Sequence, residues 1–403
     1  MIAVDAAAPV MTRLTDPRLY SDGDPHGAWA RLRRECPVSW HDEPDHEPFW
    51  AVTTYAEGLD VLSDWKRFSS ARGTFLRPNL SDPYPGAGVM MTLSDPPRHD
   101  VLRKAAAALF TPKAAAGFRA RATEVSRSLL RGVVDAGPHD FANDVAAPYP
   151  LQVIAGLLGV EGEDVERIAG YAEAAVGNIV DLDGTAAQQA HLEVLAYYAD
   201  VIEERRARPT NDVVSAFVLA QADGLDITDD EIILTCDNLA VAAGETTRQV
   251  LSGGLLALLA NPVQLQVLRS GAVSLKTAIE ELVRWIAPVS HLMRTAVTDT
   301  SVGGVEIKAG QAVSVWLSSL NRDENEFDQP MELHLDRTPN RHVSFGGGRH
   351  FCIGAPLARV MIGVFLEETL RSVARIEQVG EPRRKPSYVT NSLEYLPLAF
   401  HSE

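Results

Sequence analysis

Over most of the chain, apolar residues return every three or four positions, while charged residues hold the positions between them. That spacing predicts amphipathic helices. Alternation with a period of two is confined to short runs, which predict half-buried strands. Residues 25–34 read as a helix, and 38–40 and 49–52 as short strands joined by a polar turn at 42–46. Residues 72–97 break the pattern with Pro78, Pro83, Pro85, Pro96 and Pro97, and with Gly73, Gly86 and Gly88. This composition predicts a long loop, and ordered loops of that length are characteristically binding elements.

From 98 to 259 the pattern is helical, broken at Gly137 and Pro138, at Gly162, at 181–184 and at 209–211. Thr228, Asp229, Asp230 and Glu231 form a capping box, with Ile227 and Ile232 at staple positions. No proline follows until Pro262, so the predicted helix is about 50 Å long and crosses the molecule. A helix at 275–285 follows, then strands near 290–296, 304–307 and 312–316. The acidic stretch 321–340 is irregular. A helix at 356–373 and strands near 375–377 and 396–400 complete a mainly α chain with a minor β portion.

Composition adds exclusions. The 403 residues include 37 Lys and Arg against 54 Asp and Glu, a net charge of −17, and 46% are hydrophobic. Such a chain can bury a core, so it is not a disordered one. Its acidity argues against nucleic acid and against an anionic membrane as partners. No run of about 18 uncharged apolar residues predicts a transmembrane helix. Residues 1–10 carry Asp5 and no basic region, unlike a signal peptide. These features lead to the expectation of a soluble, cytoplasmic protein. The three cysteines, Cys36, Cys236 and Cys352, are too far apart for a zinc motif or a disulfide framework.

Candidate chemistry concentrates at 345–354, which reads Phe, three glycines, Arg, His, Phe, Cys, Ile, Gly. Successive glycines permit backbone angles closed to other residues and a close approach by another group. Cys352 precedes a helix that has Pro356 near its first position. Amides at a helix start favour a thiolate, so Cys352 suits a role as single anionic ligand to a large metal cofactor. A phosphate loop is the rival reading, but the Gly-Lys-Ser/Thr ending is missing.

This segment resembles the haem-binding signature of the cytochrome P450 family through Phe345, Gly346, Gly348, His350, Cys352 and Gly354. Four further stretches match in the family's order. On the long helix, Ala242, Ala243, Gly244, Glu245 and Thr246 resemble the oxygen-activating motif, with Glu245 and Thr246 as the proton-delivering pair. Ala243 stands where the family usually has Gly, and Gly244 where a larger residue is usual. Helical spacing places Asn238, Ala242, Glu245 and Gln249 on one face. Glu281 and Arg284, with Arg337 downstream, resemble the family's buried structural trio. His99 and Arg103, together with Arg294 and His350, resemble its haem-propionate ligands. The segment from Asn321 to Phe327 resembles its architectural segment before the haem loop.

The resemblance implies one P450 domain over 1–403: a triangular helical prism around a long central helix, with β-rich parts at about 36–70 and 286–320. It implies haem b on Cys352, O2 as co-substrate, and electrons from NAD(P)H through a ferredoxin reductase and a ferredoxin. The ferredoxin would dock on a basic cysteine-side face, for which Arg103, Lys104, Lys113, Arg341 and Arg349 are candidates. Substrate would meet Phe75, Leu76, Met90, Asn238, Val241, Ala242, Val289, His291, Leu292, Val389, Thr390 and Asn391. The polar Asn238 and His291 point to an oxygenated substrate. The pattern is closest to actinobacterial members that tailor antibiotic-type secondary metabolites, free or carrier-tethered, and a monomer is expected. Steroid or lipid hydroxylation is the alternative. A non-catalytic haem-binding protein would keep Cys352 without needing Glu245 and Thr246.

Overall fold

The computed structural model describes residues 12–82, 84, 86–177 and 185–402. The expectations for 1–10, Pro83, Pro85 and the break at 181–184 lie outside the described residues.

Thr228 Oγ1 accepts from the backbone of Glu231 at 3.3 Å, and the Glu231 carboxylate accepts from the backbone of Thr228 at 2.8 Å. This reciprocal cap starts the helix Asp229–Ala260, whose 32 residues span about 48 Å. Arg98 pairs with Glu231 and so ties the helix Arg98–Ala106 to that start. Ile227 and Ile232 are both buried beside it. Pro262 opens the next helix, Pro262–Arg269, after a bend of 108°. The long helix packs against Pro148–Ile154, Asp164–Gly177, Thr185–Ala207, Leu275–Ile286 and Ala355–Ser372. Its apolar positions run through the main core.

A five-stranded sheet stands beside this helical body in the order Val38–His41, Phe49–Val52, Ala312–Val315, Leu292–Ala296, Phe68–Ser69. Neighbours are antiparallel except Phe49–Val52 with Ala312–Val315. Val38, Val52, Val313 and Val315 give it a core of its own. The molecule is thus mainly α with minor β content. Five short strands among the described residues escape the periodicity reading, Phe68–Ser69, Pro138–Asp140, Thr300–Val302, Arg383–Arg384 and Leu393–Tyr395; Pro138–Asp140 pairs with Pro397–His401 and Thr300–Val302 with Val305–Ile307. Two or three residues are too few to display a period. The proline-rich stretch is irregular except for one turn at Met91–Leu93, and Gly86 and Gly88 take φ of 80° and 76°.

The irregular segment after Asn321 hangs on one side chain. Arg284 is fully buried and donates to the carbonyls of Asn321 at 2.8 Å and Pro330 at 3.0 Å. Glu281, also fully buried, holds that guanidinium by two bonds of 2.7 Å. Arg337 and Asn340 donate to the same carboxylate at 3.1 and 3.0 Å. Among the described residues, no single helix is long and apolar enough to cross a membrane.

Candidate active site

The glycine loop is shaped by close approach. Gly346 and Gly348 have φ of 71° and 61°, and a Cβ on Gly348 would lie 2.6 Å from the carbonyl oxygen of Leu62. Only glycine fits there. The backbone N–H of Cys352 donates to Phe345 O at 2.9 Å and closes the loop. The helix Ala355–Ser372 follows at once. Neighbours surround Cys352, yet its surface is accessible, because it lines a cavity. Burial pushes the thiol up from its usual range, against the opposing pull of the Gly354 and Ala355 amides and of Arg103 and Arg359. The amides at the helix start therefore do not by themselves win a thiolate. Coordination to a metal would supply the missing drive, because a ligating thiol is deprotonated outright.

The cavity encloses about 1400 Å³ of atom-free space, open mouth included, and its walls are mostly apolar. Phe345, Gly346, His350, Cys352, Gly354 and Leu357 contribute one part of the wall. Asn238, Leu239, Ala242, Ala243, Thr246, Thr247 and Val250 contribute another, and His99, Arg103, Val289 and Leu292 a third.

Cationic and imidazole groups gather at the rim. The rings of His99 and His350 lie 4.3 Å apart. His350 Nε2 is buried and has no hydrogen-bond partner among the described residues. Burial, then the charge of Arg294, then His99 and Arg103, press the His350 imidazole down to about 2. Arg294 is 2% exposed, and among the described residues its one hydrogen bond is to the adjacent carbonyl of Met293 at 2.8 Å. It stands behind the wall, not on it. Arg103 donates to Phe351 O at 2.8 Å. An orphaned imidazole nitrogen and an underused buried guanidinium suit an acidic ligand. One thiol, this rim and the bulk-free Ala242 and Ala243 together fit a haem. Among the described residues no cluster of three or more His, Cys, Asp or Glu offers another metal site.

The expected shared face of Asn238, Ala242, Glu245 and Gln249 is split. Asn238, Ala242 and Thr246 reach the cavity, with Thr246 Oγ1 donating to Ala242 O at 3.0 Å. Glu245 and Gln249 sit on the adjoining flank. Glu245 accepts from Gln249 Nε2 at 2.6 Å and from Ser392 Oγ at 3.0 Å, and Arg248 lies 3.5 Å away. One residue turns a helix by about 100°, so neighbours such as Glu245 and Thr246 can open on different spaces.

Several residues expected to meet substrate lie outside the cavity lining. His291 is fully buried outside the cavity. Its Nε2 accepts from Leu76 N at 2.9 Å and its Nδ1 donates to Tyr388 O at 3.1 Å. Phe75 packs edge-on against it, and Leu76 and Val389 belong to the same separate core. Thr390 receives a bond from Ser392 at 2.8 Å within a hydroxyl cluster. Asn391 is spent on Ile286 O at 2.6 Å. Met90 packs beneath Gly86, leaving the wall to Met91 and Thr92. Val241 falls on the helix flank away from Ala242. Asn238, Ala242, Val289 and Leu292 do line the cavity. Sequence reasoning missed Thr247, Val250, Ile154, Leu157 and Leu158. The last three come from an apolar stretch that nothing in the sequence distinguishes from core.

Lys104 and Lys113 are exposed. Arg349 pairs with Asp100 at 2.7 Å and Arg341 approaches Glu326 at 3.8 Å.

Comparison with known proteins agrees with this geometry. Residues 274–392 match the family described as Cytochrome P450. A putative cytochrome P450 126 of Mycobacterium tuberculosis is 38% identical over 382 residues, covering 92% of this chain and 92% of that protein. A steroid C26-monooxygenase of Rhodococcus jostii is 33% identical over 395 residues, 94% of this chain and 83% of that one. The crystal structure of OxyD, a P450 involved in the biosynthesis of vancomycin-type antibiotics, superposes with a TM-score of 0.89. Its identity is 32%, and the match covers 97% of this chain and 100% of that one. A Cys352 loop, an Ala242–Thr246 helix face and a cationic rim meeting at one cavity, in a chain so similar over its whole length, make this a member of the cytochrome P450 family of haem–thiolate monooxygenases.

Proposed function

We propose that this chain oxidises a small, oxygenated secondary metabolite of the antibiotic-tailoring kind. It would use haem b, O2, and electrons passed from NAD(P)H by a ferredoxin reductase and a ferredoxin. The observation that carries the reading is that Cys352, Thr246 and Asn238 line one largely apolar cavity. The structural likeness to OxyD, involved in antibiotic biosynthesis, favours the substrate class.

Cys352 would ligate the iron. His99, Arg103 and His350, backed by Arg294, would receive the carboxylates of the haem, while Phe345, Gly346, Gly354 and Ala243 would border its faces. When bound, the haem activates O2 for insertion of one oxygen atom into the substrate. The apolar wall keeps water from the reacting atoms. Thr246 is the hydroxyl that can hold a proton at the cavity, and Glu245 is the adjoining acid that resupplies it. Asn238 offers an amide to a substrate oxygen. Glu281, Arg284 and Arg337 serve the frame of the haem loop and touch no reactant.

The test has two stages. The reduced carbon monoxide complex should absorb at the thiolate position, and Cys352→Ser should abolish that band; a featureless wild-type spectrum overturns the haem assignment. Antibiotic-type compounds, free and carrier-tethered, are then screened for a substrate-induced spin shift beside a steroid panel. Shifts with steroids alone would install steroid hydroxylation instead, the reading favoured by the 33% identity to a steroid C26-monooxygenase.

A further inference from the structure

Arg322 is 3% exposed, and two of its guanidinium nitrogens, Nε and Nη1, have no partner among the described residues. Nη2 donates to Trp285 O at 2.7 Å, and the Trp285 ring covers the group at 4.9 Å. Buried charged donors left unmet are costly, and native folds seldom keep them. The acids around Arg322 are already taken. Glu281 serves Arg284, Arg337 and Asn340, and Glu324 holds Arg33 by bonds of 3.0 and 2.8 Å. Further donors gather beside it. The helix Pro25–Glu35 packs on Leu317–Leu320, with Arg33 donating to Ser319 Oγ at 3.1 Å. His26 and Trp29 share that face at helical spacing from Arg33. The His26 ring stands edge-on to Trp29 at 5.3 Å. His26 Nδ1 and Trp29 Nε1 are buried, and neither has a partner among the described residues. Burial, then the charges of Arg322, Arg384 and Arg33, press His26 well below its usual range. Arg384, exposed on the strand Arg383–Arg384, donates to Asn391 Oδ1 at 2.8 Å and meets no carboxylate among the described residues. Asn391 donates to Ile286 O at 2.6 Å, so Arg384 and Arg322 are anchored on adjoining carbonyls.

We propose that this cluster binds a small oxyanion of the phosphate class, with Arg322 at its inner end and Arg384 at its outer one. An oxyanion carries several acceptors at once, which suits N–H groups arriving from two guanidiniums, an imidazole and an indole. An indole N–H can only donate, and a neutral imidazole can present its proton on Nδ1, so neither group competes for the donors. The two guanidiniums without a carboxylate supply the attracting charge. The site also bears on the main cavity. Trp285 O and Ile286 O are held from this side, and Pro288 and Val289, a few residues on, line the cavity. An anion seated on Arg322 would brace that stretch of wall from behind.

The test is calorimetric titration of the haem-loaded protein with sodium phosphate, against sodium chloride at matched ionic strength. Phosphate should bind saturably, one per chain, and chloride roughly tenfold more weakly or not at all. Arg322→Gln should abolish the binding. Arg384→Gln, at the exposed end, and Trp29→Phe, which keeps a ring and removes the N–H, should each weaken it several-fold. These two variants decide the matter if Arg322→Gln fails to fold, since neither gives up the bond to Trp285 O. Hydrogen exchange in the peptide spanning 285–289 should slow with phosphate in the wild type, and slow less in Trp29→Phe at the same concentration. Three results overturn the site: no saturable binding, which leaves the donors to water; equal binding of chloride; or undiminished binding in both Arg384→Gln and Trp29→Phe, which marks an adventitious ion only. Phosphate binding with unchanged exchange at 285–289 overturns the bracing of the cavity wall.

Discussion

The backbone N–H of Leu76 donates to Nε2 of His291 at 2.9 Å, across 215 positions of sequence. The other nitrogen reaches Tyr388 O, so one imidazole joins the proline-rich loop, the strand edge and the C-terminal turn. Burial pushes this histidine down to about 4 from its usual 6.5, with the Tyr388 carbonyl opposing and His46 adding slightly. A lowered folded value means the unfolded chain binds the proton better. The stabilisation is therefore complete above pH 6.5 and is lost as pH falls toward 4. This one group should cost the fold about 2 kcal/mol between pH 7 and pH 5. His291→Phe should lower the urea midpoint at pH 7, because it leaves Leu76 N and Tyr388 O unpaired. It should also lose less on going to pH 5 than wild type does. Equal losses in both proteins would rule out His291 as the titrating group. Substrate spin-shift affinity should change little, since the ring lies outside the cavity.

Glu281 balances two guanidiniums, Arg284 and Arg337, at zero exposure. Removing one partner of a buried pair typically costs about 3–5 kcal/mol, because the other charge is left uncompensated. Glu281→Gln should therefore lower the denaturation midpoint sharply and reduce haem retention, through release of the segment after Asn321. A variant with wild-type midpoint and full haem content would refute the structural assignment.

Lys104 and Lys113 are exposed; Lys104 follows Arg103, which donates to Phe351 O of the cysteine loop, Lys113 lies on Pro112–Gly117, which packs on the helix after Cys352, and Arg349 is already engaged by Asp100. In a chain of charge −17, an acidic electron donor needs such local positive charge. Reversing both lysines to Glu should raise the KM for ferredoxin about tenfold at low salt, with a smaller effect at high salt. Peroxide-supported turnover should be untouched. Unchanged ferredoxin kinetics at low salt would remove the docking assignment.

What could be read from sequence was what is fixed locally. The Thr228 cap, the glycine turns before Cys352 and the Glu281–Arg284 spacing each lie within a few residues, so the chain states them directly. Failures came where a distant segment decides. His291 looked like a substrate contact because its partners, Leu76 and Tyr388, are remote in sequence. Glu245 looked coplanar with Asn238 because spacing gives an angle around the helix but not where the cavity ends. The strand Pro138–Asp140 exists only through its pairing with Pro397–His401.

Asn238 remains the polar group best placed to choose a substrate. It is half-buried on the cavity wall, and its Oδ1 accepts from Thr92 Oγ1 at 3.1 Å, which fixes the amide and turns Nδ2 to other partners. A single neutral hydrogen bond contributes about 1 kcal/mol, and leaving a buried donor unmet costs somewhat more. An oxygen-bearing substrate should thus bind Asn238→Leu roughly tenfold more weakly in spin-shift titrations. A deoxygenated analogue should bind the variant as well as wild type or better, since leucine extends the apolar wall. Equal weakening for both ligands would mean that Asn238 shapes the cavity without reading the oxygen. Thr92→Val supplies the check on mechanism. It frees the amide without removing it, so it should relax the preference between the two ligands while leaving the affinity for the oxygenated one within a few-fold.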